Sequence, residues 1–483
     1  MSEKNLEIFS PNRISFLTTD SREVQPGCGY FAVKGTNFDG RLFIKDAVEL
    51  GASVVVTDSP SVPAEFTGTK TQIIVVKDIR KFLAEASCHF FEHPTRKLKL
   101  LGVTGTNGKT TTTVLLESIL KSAAYNPALI GTLENRLGSW KVPSTLTTPD
   151  SIHLQGLLSD FLKKGAKSAV MEVSSHALDQ SRPWGSQFAA AVFTNLTQDH
   201  LDYHKTMDAY FQAKVRLFRD YDCPIKIINT ADTYGRRLHD MVKALPGRCF
   251  TFGPNESDTA NPDDLTTSAY GTRGRIRTTL GEVEIESPLV GDFNKQNLVA
   301  ATLCALTLNI KPTQIEQGLQ AVTVPGRMER IENSQNFHVF VDYAHTPDAL
   351  LKVLTTLRAL LSTSSNLITV FGCGGDRDPS KRPIMGQIAT THSDKVWITS
   401  DNPRTEDPEK IIHEVMVGAK SVSSAAKIHT EANRRLAIEA ALNTLKAGDI
   451  LLVAGKGHET YQIIGTQKLP FDDRVVAREY LNR

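Results

Sequence analysis

The sequence lacks any close pairing of cysteines. Its six, at positions 28, 88, 223, 249, 304 and 373, are scattered, with no C-x-x-C pair among them. That argues against a disulfide framework and a structural zinc site, and it fits a reducing compartment. An excess of one charge is also missing: 55 basic minus 53 acidic residues leaves +2. Nothing in that balance favours nucleic acid or an anionic membrane as a partner. No apolar run approaches the ~18 residues of a membrane span. The opening MSEKNLEIFSPNR has no apolar core of the signal-peptide kind. No repeat or low-complexity segment stands out. The expectation is a soluble, cytoplasmic protein.

What the chain does have is alternation. At roughly 150 residues per domain, its 483 residues suggest about three domains, each large enough to bury a core. A first region ends near FEHPTRK and holds the β-branched runs ASVVVTD and TQIIVVKD, which read as buried strands. A second region alternates strands (KLKLLGVTG, SAVMEV, AAAVFTNL, IKIIN) with helical stretches and closes at VPGRMER. A third begins at FHVFVDYAH and repeats the alternation with LITVFG, KVWITS and DILLVAG. Between these lie helices such as DPEKIIHEVMVGAK, where Pro408 suits a first helical position. Such alternation implies βαβ units and mainly parallel sheets. The fold class is therefore α/β, with boundaries expected at 1–93, 94–328 and 329–483.

The strongest local signal is LLGVTGTNGKTTTTVLLESIL. An apolar strand runs into Gly105, Thr106, Asn107, Gly108, Lys109, Thr110 and Thr111, and an apolar-periodic helix follows. Glycines let backbone amides turn inward around phosphate oxygens, and a helix N-terminus adds partial positive charge. Lys109 would reach the β- and γ-phosphates, and the Thr110 hydroxyl would take Mg²⁺. Val103 stands where the longer phosphate-loop pattern has its first glycine, so this is the short G-x-x-G-K-T form. The bland alternative is a glycine-bearing turn that binds nothing. No N-K-x-D base-recognition signal follows, as a GTPase-like switch would need.

A second cluster follows. Glu172 ends the strand SAVMEV, and TNLTQDHLDYH follows the next strand. Then comes DAYFQAKVRLF, with Phe211, Val215 and Phe218 on one helical stripe and Lys214 beside them. Glu172 and His200 could both meet a metal bound to the phosphates. His200 and His204 stand at i, i+4, but no glutamate follows the first, so the zinc-protease motif H-E-x-x-H is absent. For His204 the bland alternative is a surface or hydrogen-bonded histidine; for Lys214 it is an exposed helix lysine.

In the third region the loops after the strands are DYAHTPD, GCGGDRDPSKRP, SDNPRTEDP and GKGHE. In a parallel sheet these share one edge, where ligands of open α/β sheets bind. Arg404 is thus expected to be one of several charged groups on a single rim.

The order of GTNGKTT, TTPD, EVSSH, TNLTQDHLDYH, the AK of YFQAK, GDFNKQN, GRMER, DYAHTPDAL, GCGGDRD, DNPR and GKGHE resembles the Mur ligase family over nearly the whole chain. The resemblance implies an N-terminal domain for a uridine nucleotide, a central ATPase and a C-terminal Rossmann-like domain that brings an amino acid. It implies a monomer that uses ATP and Mg²⁺ on small-molecule substrates. Ser21, Thr36, Asn37 and Phe38 would hold the UDP end. Thr147, Thr148, Ser174, Gln180 and Arg182 would hold the muramoyl-peptide, with Leu146 standing where some relatives carry asparagine. Asn294, Asn297, Arg327, Asp342 and His345 would join the phosphate loop around ATP. Lys214 matches a lysine that members carry as a carbamate, which turns a Mg²⁺-repelling ammonium into an anionic oxygen ligand. Lys109, Glu172, His200 and Lys214 would be the catalytic set, and Thr110, Glu172, His200 and carbamylated Lys214 the metal ligands.

By the same resemblance, DNPR marks members that add meso-diaminopimelate to the D-glutamate γ-carboxyl of UDP-N-acetylmuramoyl-L-alanyl-D-glutamate, through an acyl phosphate. Arg404 would pair with the carboxylate at the far end of diaminopimelate, which lysine lacks. Asp401, Asn402, Pro403, Arg377, Gly455 and Glu459 would complete that pocket. The readings to be separated from this one are a lysine-adding sibling, a folylpolyglutamate synthetase-like ligase, and a nucleotide-regulated binding module.

Overall fold

The computed structural model describes residues 5–35, 38–60, 70–423 and 426–482. The chain divides into two compact units. The first comprises residues 1–263, 276–283 and 296–319; the second comprises residues 264–275, 284–295 and 320–483.

The first unit carries two sheets. Leu17–Thr18, Gly29–Phe31, Val54–Thr57 and Gln72–Val75 pair in sequential order, all parallel. Val54–Thr57 is buried throughout, as a β-branched run between two covered faces should be. Phe9 packs against Phe31 and Phe82 at centroid distances of 5.4 and 5.7 Å beneath this sheet. The larger sheet has eight strands, in the order Arg248–Phe252, Ile225–Asn229, Ala190–Phe193, Lys99–Thr104, Ser168–Glu172, Pro127–Ile130, Asn135–Leu137 and Trp140–Val142. The first six are parallel and the last two antiparallel. Lys99–Thr104 lies between Ala190–Phe193 and Ser168–Glu172, so the loops after all three leave one edge side by side.

Helices around this sheet begin at side-chain caps. Asp150 accepts from the His153 amide, Ser174 from Ala177, Thr206 from Ala209 and Asp232 from Gly235. Each satisfies one of the amides a helix start leaves open.

The second unit is built on six strands, in the order Glu329–Arg330, His338–Asp342, Ile450–Ala454, Leu367–Phe371, Lys395–Thr399 and Lys427–Glu431. Only the first pairing is antiparallel. One face packs on Leu350, Leu354, Met385 and Val415, and the other on Ile438, Ala441 and Val476. Pro408 opens the helix Pro408–Lys420, as its position suggested, with Asp407 as cap.

The apolar runs quoted above all form strands. What they did not reveal are the antiparallel additions: Asn135–Leu137 with Trp140–Val142, the meander Leu265–Ser268, Gly271–Thr278 and Gly281–Ser287, and the hairpin Tyr461–Ile464 with Gln467–Pro470. These strands are partly exposed and polar, Gln467–Pro470 along its whole length, so no apolar run marks them. Glu329–Arg330 of GRMER is also a strand, paired to Val341 and Phe340.

Candidate active site

The phosphate loop is tied to the strand end beside it. Asn195 accepts from the Thr106 amide with its carbonyl and from the Asn107 amide with Oδ1, both at 2.9 Å. Thr194 Oγ1 donates to the Asn107 carbonyl at 2.6 Å. Gly108 has φ +85°, and a Cβ there would lie 2.4 Å from Asn297 Oδ1, so both the conformation and the space demand glycine. Lys109 opens the helix Lys109–Ser122 and folds its Nζ back onto the carbonyls of Gly105 (3.0 Å) and Thr106 (2.8 Å). The first amides of that helix have no partner within it, which is what suits a helix start to an anion.

Glu172 is the hub of the cluster. It is 1% exposed, and its carboxylate accepts from three donors. Thr110 Oγ1 lies 3.0 Å from both carboxylate oxygens; the Thr132 amide donates to Oε1 at 2.9 Å and the Thr132 hydroxyl to Oε2 at 3.1 Å. The phosphate-loop threonine and the strand-end carboxylate are therefore in direct contact. Lys214 is not an exposed helix lysine. It is 1% exposed, and its Nζ donates to the Gly105 carbonyl at 2.8 Å. Burial, aided by Lys109 nearby, pulls its pKa well below the ordinary lysine value. His200 sits at φ +54° and faces Asp199, with Nε2 3.4 Å from Oδ2. Burial lowers its pKa; Asp199 opposes the shift, while Lys109 and Lys214 add to it. The Glu172 carboxylate, the Thr110 hydroxyl and the His200 imidazole would form, with Lys214 were it carbamylated, a mainly oxygen donor set of the kind Mg²⁺ takes. His204 takes its bland reading: Nε2 lies 2.9 Å from Ser175 Oγ.

The residues expected to hold a muramoyl-peptide stand beside Glu172. Thr147 Oγ1 lies 3.1 Å from Thr132 Oγ1, and Thr148 Oγ1 donates to the Glu172 carbonyl at 2.8 Å. The Ser174 amide donates to Thr148 Oγ1 at 3.0 Å. Arg182 holds Gln180 Oε1 through Nε and Nη2 and donates to the Thr148 carbonyl at 2.7 Å. Leu146 is exposed. Near the N-terminus, Ser21 opens a short 3₁₀ turn capped by Asp20, and Phe38 is 79% exposed. Thr36 and Asn37 lie outside the described residues.

Of the remaining ATP candidates, Asn297 accepts from Thr112 Oγ1 at 3.3 Å and belongs to the first unit with the loop. Asn294, Arg327, Asp342 and His345 belong to the second. Asn294 Nδ2 donates to the Val290 carbonyl at 2.9 Å. Asp342 accepts the amides of Met328 (2.7 Å) and Ala344 (2.8 Å), and burial raises its pKa in spite of them. Arg327 lies over the Tyr343 ring at 4.7 Å. His345 Nδ1 is 2.9 Å from the Tyr343 carbonyl, and Lys381 Nζ donates to the His345 carbonyl at 2.9 Å.

In the second unit the loops carrying Arg377, Asp401–Arg404 and Gly455–Glu459 do converge. Gly375 donates its amide to the Asn402 carbonyl at 2.9 Å, and Arg404 Nη1 donates to the Gly375 carbonyl at 2.8 Å. A Cβ on Gly375 would lie 1.9 Å from the Pro403 carbonyl oxygen, so glycine alone permits this approach. Arg404 has φ +52°, and its backbone is pinned on both sides: it donates to Ile463 at 3.1 Å and accepts from Gly465 at 2.7 Å. The Cβ position of Gly374 lies 3.1 Å from Arg404 Nη1 and 3.7 Å from Arg377 Cγ, so both side chains flank that glycine. Glu459 Oε2 accepts from Asn402 Nδ2 at 2.9 Å.

Several residues of these clusters escaped the sequence reading. Thr132 lies in no quoted motif; Asn195 stood inside TNLTQDHLDYH, and Tyr210, whose hydroxyl lies 3.1 Å from Thr106 Oγ1, inside YFQAK, without being singled out. Lys456 stood inside the quoted GKGHE without being singled out. Arg382 is 1% exposed and bonds both Glu406 carboxylate oxygens, Glu414 and the Gly374 carbonyl. Its only signal was an arginine at the start of a helix, too common to read.

Three family descriptions match this chain. "Mur ligase family, catalytic domain" covers residues 13–91, "Mur ligase middle domain" residues 103–305, and "Mur ligase, glutamate ligase domain" residues 326–457. The chain belongs to the Mur ligase family. Among curated Mur ligases, the UDP-N-acetylmuramoyl-L-alanyl-D-glutamate–2,6-diaminopimelate ligase of Aquifex aeolicus is 45% identical over 473 residues, spanning 98% of this chain and 95% of that one. The enzyme of the same name from Synechococcus elongatus is 45% identical, over 96% and 93%. A solved Mur ligase structure, again of a protein with that name, superposes with a TM-score of 0.73 at 34% identity, covering 97% of this chain and 95% of that one. A Mycobacterium tuberculosis folylpolyglutamate synthase shares the fold at a TM-score of 0.63 and 17% identity, over 78% of this chain and 92% of its own.

Proposed function

We propose that this Mur ligase joins meso-2,6-diaminopimelate to the D-glutamate γ-carboxyl of UDP-N-acetylmuramoyl-L-alanyl-D-glutamate, at the expense of ATP, in the cytoplasmic assembly of peptidoglycan precursors. The observation that carries the reading is 45% identity along 98% of the chain to an enzyme of that name. The first 93 residues would take the UDP end through Ser21 and Phe38, residues 94–328 the nucleotide, and residues 329–483 the amino acid. The chain would act as a monomer.

A carboxylate resists an amine in water because it has no adequate leaving group. Transfer of the ATP γ-phosphoryl to the γ-carboxylate creates one, as an acyl phosphate. The amine then attacks the acyl carbon and phosphate departs. The demand on the protein is to neutralise charge on the phosphoryl group and to hold the two reactants in line. Lys109 would leave the Gly105 and Thr106 carbonyls for the phosphates, with the amides that open its helix beside it. Asn294, Asn297, Arg327, Asp342 and His345 would frame the nucleotide. Thr147, Thr148, Ser174, Gln180 and Arg182 would hold the muramoyl-dipeptide next to Glu172.

Mg²⁺, held by Thr110, Glu172, His200 and carbamylated Lys214, would supply positive charge to the phosphates. Carbamate formation needs the neutral amine, because the nitrogen lone pair attacks carbon dioxide and a proton is released. The burial that depresses the pKa of Lys214 supports this. Arg404 would pair with the far carboxylate of diaminopimelate, with Arg377, Asp401, Asn402, Pro403, Gly455 and Glu459 around that end.

Steady-state ADP release, coupled to product analysis with the UDP-dipeptide, tests the reading. Diaminopimelate-dependent ADP and a lengthened precursor are expected. ADP release that ignores the amino acid, or a preference for lysine, would overturn it.

A further inference from the structure

Lys456 stands in the turn after the strand Ile450–Ala454, and solvent does not reach it: its exposure is 0%. Its Nζ donates to Glu459 Oε2 at 3.0 Å and to Asn402 Oδ1 at 3.3 Å, and lies 3.5 Å from Asp401 Oδ1. Three residues of the proposed amino-acid pocket thus meet on one ammonium, from loops after two different strands. A buried lysine is costly unless it is paired. Here it is paired twice over, which leaves the cluster one negative charge in excess.

The excess is visible as an unmet bond. The Asp401 side chain is 10% exposed, and its Oδ1, although close to Lys456, is buried with no hydrogen-bond partner among the described residues. A buried carboxylate oxygen without a donor is a place for one to arrive. Beside the same loops, the Arg404 and Arg377 side chains flank Gly374. An acceptor for an ammonium and guanidinium groups suited to a carboxylate therefore stand on the same converging loops, the charge pattern of an α-amino-acid end.

We infer that Lys456 is a specificity-determining positioning residue. It holds Asp401, Asn402 and Glu459 in place and sets the charge of the cluster, so that a neutral zwitterionic end is accepted and a bare ammonium is disfavoured. With two carboxylates and three cations (Lys456, Arg404 and Arg377), the surroundings carry one net positive charge. Diaminopimelate answers it with the carboxylate of its far end; lysine presents an ammonium alone. This inference rests on the proposed function.

The test compares kcat/KM for diaminopimelate and for L-lysine in the native chain, Lys456→Gln, Asp401→Asn and the double variant. Removing the lysine charge should lower the diaminopimelate-to-lysine ratio on the order of tenfold. The change should lie in the KM for the amino acid, with the KM for ATP unchanged. Asp401→Asn should move the ratio the other way, and the double variant should return it towards the native value. A structural role alone would reduce both amino acids equally, and that result, or an unchanged ratio, overturns the inference. If Lys456→Gln does not fold, Asp401→Asn decides: a ratio that fails to rise overturns it. A native chain with no diaminopimelate-dependent ADP release would instead sink the proposed function.

Discussion

Lys214 Nζ donates a 2.8 Å hydrogen bond to the carbonyl of Gly105, the first glycine of the phosphate loop. Burial, aided by the Lys109 cation, favours loss of its proton, which the proposed carbamate requires. Lys214→Ala should therefore lose about a hundredfold to a thousandfold in kcat, the scale on which removing one electrostatic contributor acts. Added acetate or formate should restore part of it by supplying the missing anionic oxygen. Intact mass at neutral pH should show a carbon dioxide adduct that disappears on acidification. A fully active Lys214→Ala enzyme would defeat the carbamate role.

Arg404 is expected to decide which amino acid is used. Arg404→Ala should cost about 3 kcal/mol or more in kcat/KM for diaminopimelate, the scale on which a charged group left unpaired is felt. The KM for ATP should not change. Arg404→Lys should fail to restore the loss, because an ammonium cannot make the forked pair with a carboxylate. Kinetics with both amino acids check this; an unaltered preference would remove Arg404 from the role.

The parallel sheets were legible in the sequence because strands covered on both faces are mainly apolar, as LITVFG is apart from Thr369 and SAVMEV apart from Ser168 and Glu172. The rims were legible because parallel strands send their following loops to one edge. Contacts between residues distant in sequence were not legible. Nothing in TNLTQD announces that Asn195 grips the phosphate loop, and nothing in HEVMV announces that Glu414 meets Arg382. Lys214 shows the same limit from the other side. Its place beside an apolar stripe allowed an exposed lysine, yet the sheet edge carrying Gly105 covers it. Most of the half-exposed antiparallel strands escaped because polar residues dilute their alternation; Gly281–Ser287, with Val283 and Ile285 buried between exposed glutamates, carries it only over a short run.

His458 gives a pH dependence of stability. Its ring lies 4.9 Å from the Tyr343 ring, and Nδ1 is buried without a hydrogen bond among the described residues. Burial, with Arg327 and Arg474 nearby, lowers its pKa from 6.5 to about 4. Between those values the unfolded chain carries the proton and the folded chain does not. Stability is therefore intact above pH 6.5 and is lost as the pH falls towards 4. Urea midpoints measured across that window should fall with pH, and the fall should be shallower in His458→Gln. An equal slope in the variant would remove the histidine from the effect.

Arg434 and Asp473 form an ion pair with no exposure on either side chain, through two hydrogen bonds of 2.7 Å. Arg434 also donates to the carbonyls of Ala454 at 2.9 Å and Ser400 at 3.4 Å. Ala454 ends the strand before GKGHE and Ser400 directly follows the strand before DNPR, so the buried guanidinium ties down the start of both loops. Removing Asp473 alone would leave a buried, unpaired cation. Asp473→Ala should lower stability by about 3–5 kcal/mol and blunt diaminopimelate use as the loops loosen. Replacing both partners with apolar residues of similar volume should recover much of the stability, because no charge is then left without a counterpart. It should not recover the activity, since replacing Arg434 also takes the donor away from the Ala454 and Ser400 carbonyls. Denaturant unfolding and steady-state kinetics on the single and double variants separate the two effects. A double variant that regained both would show that the guanidinium steadies the core alone.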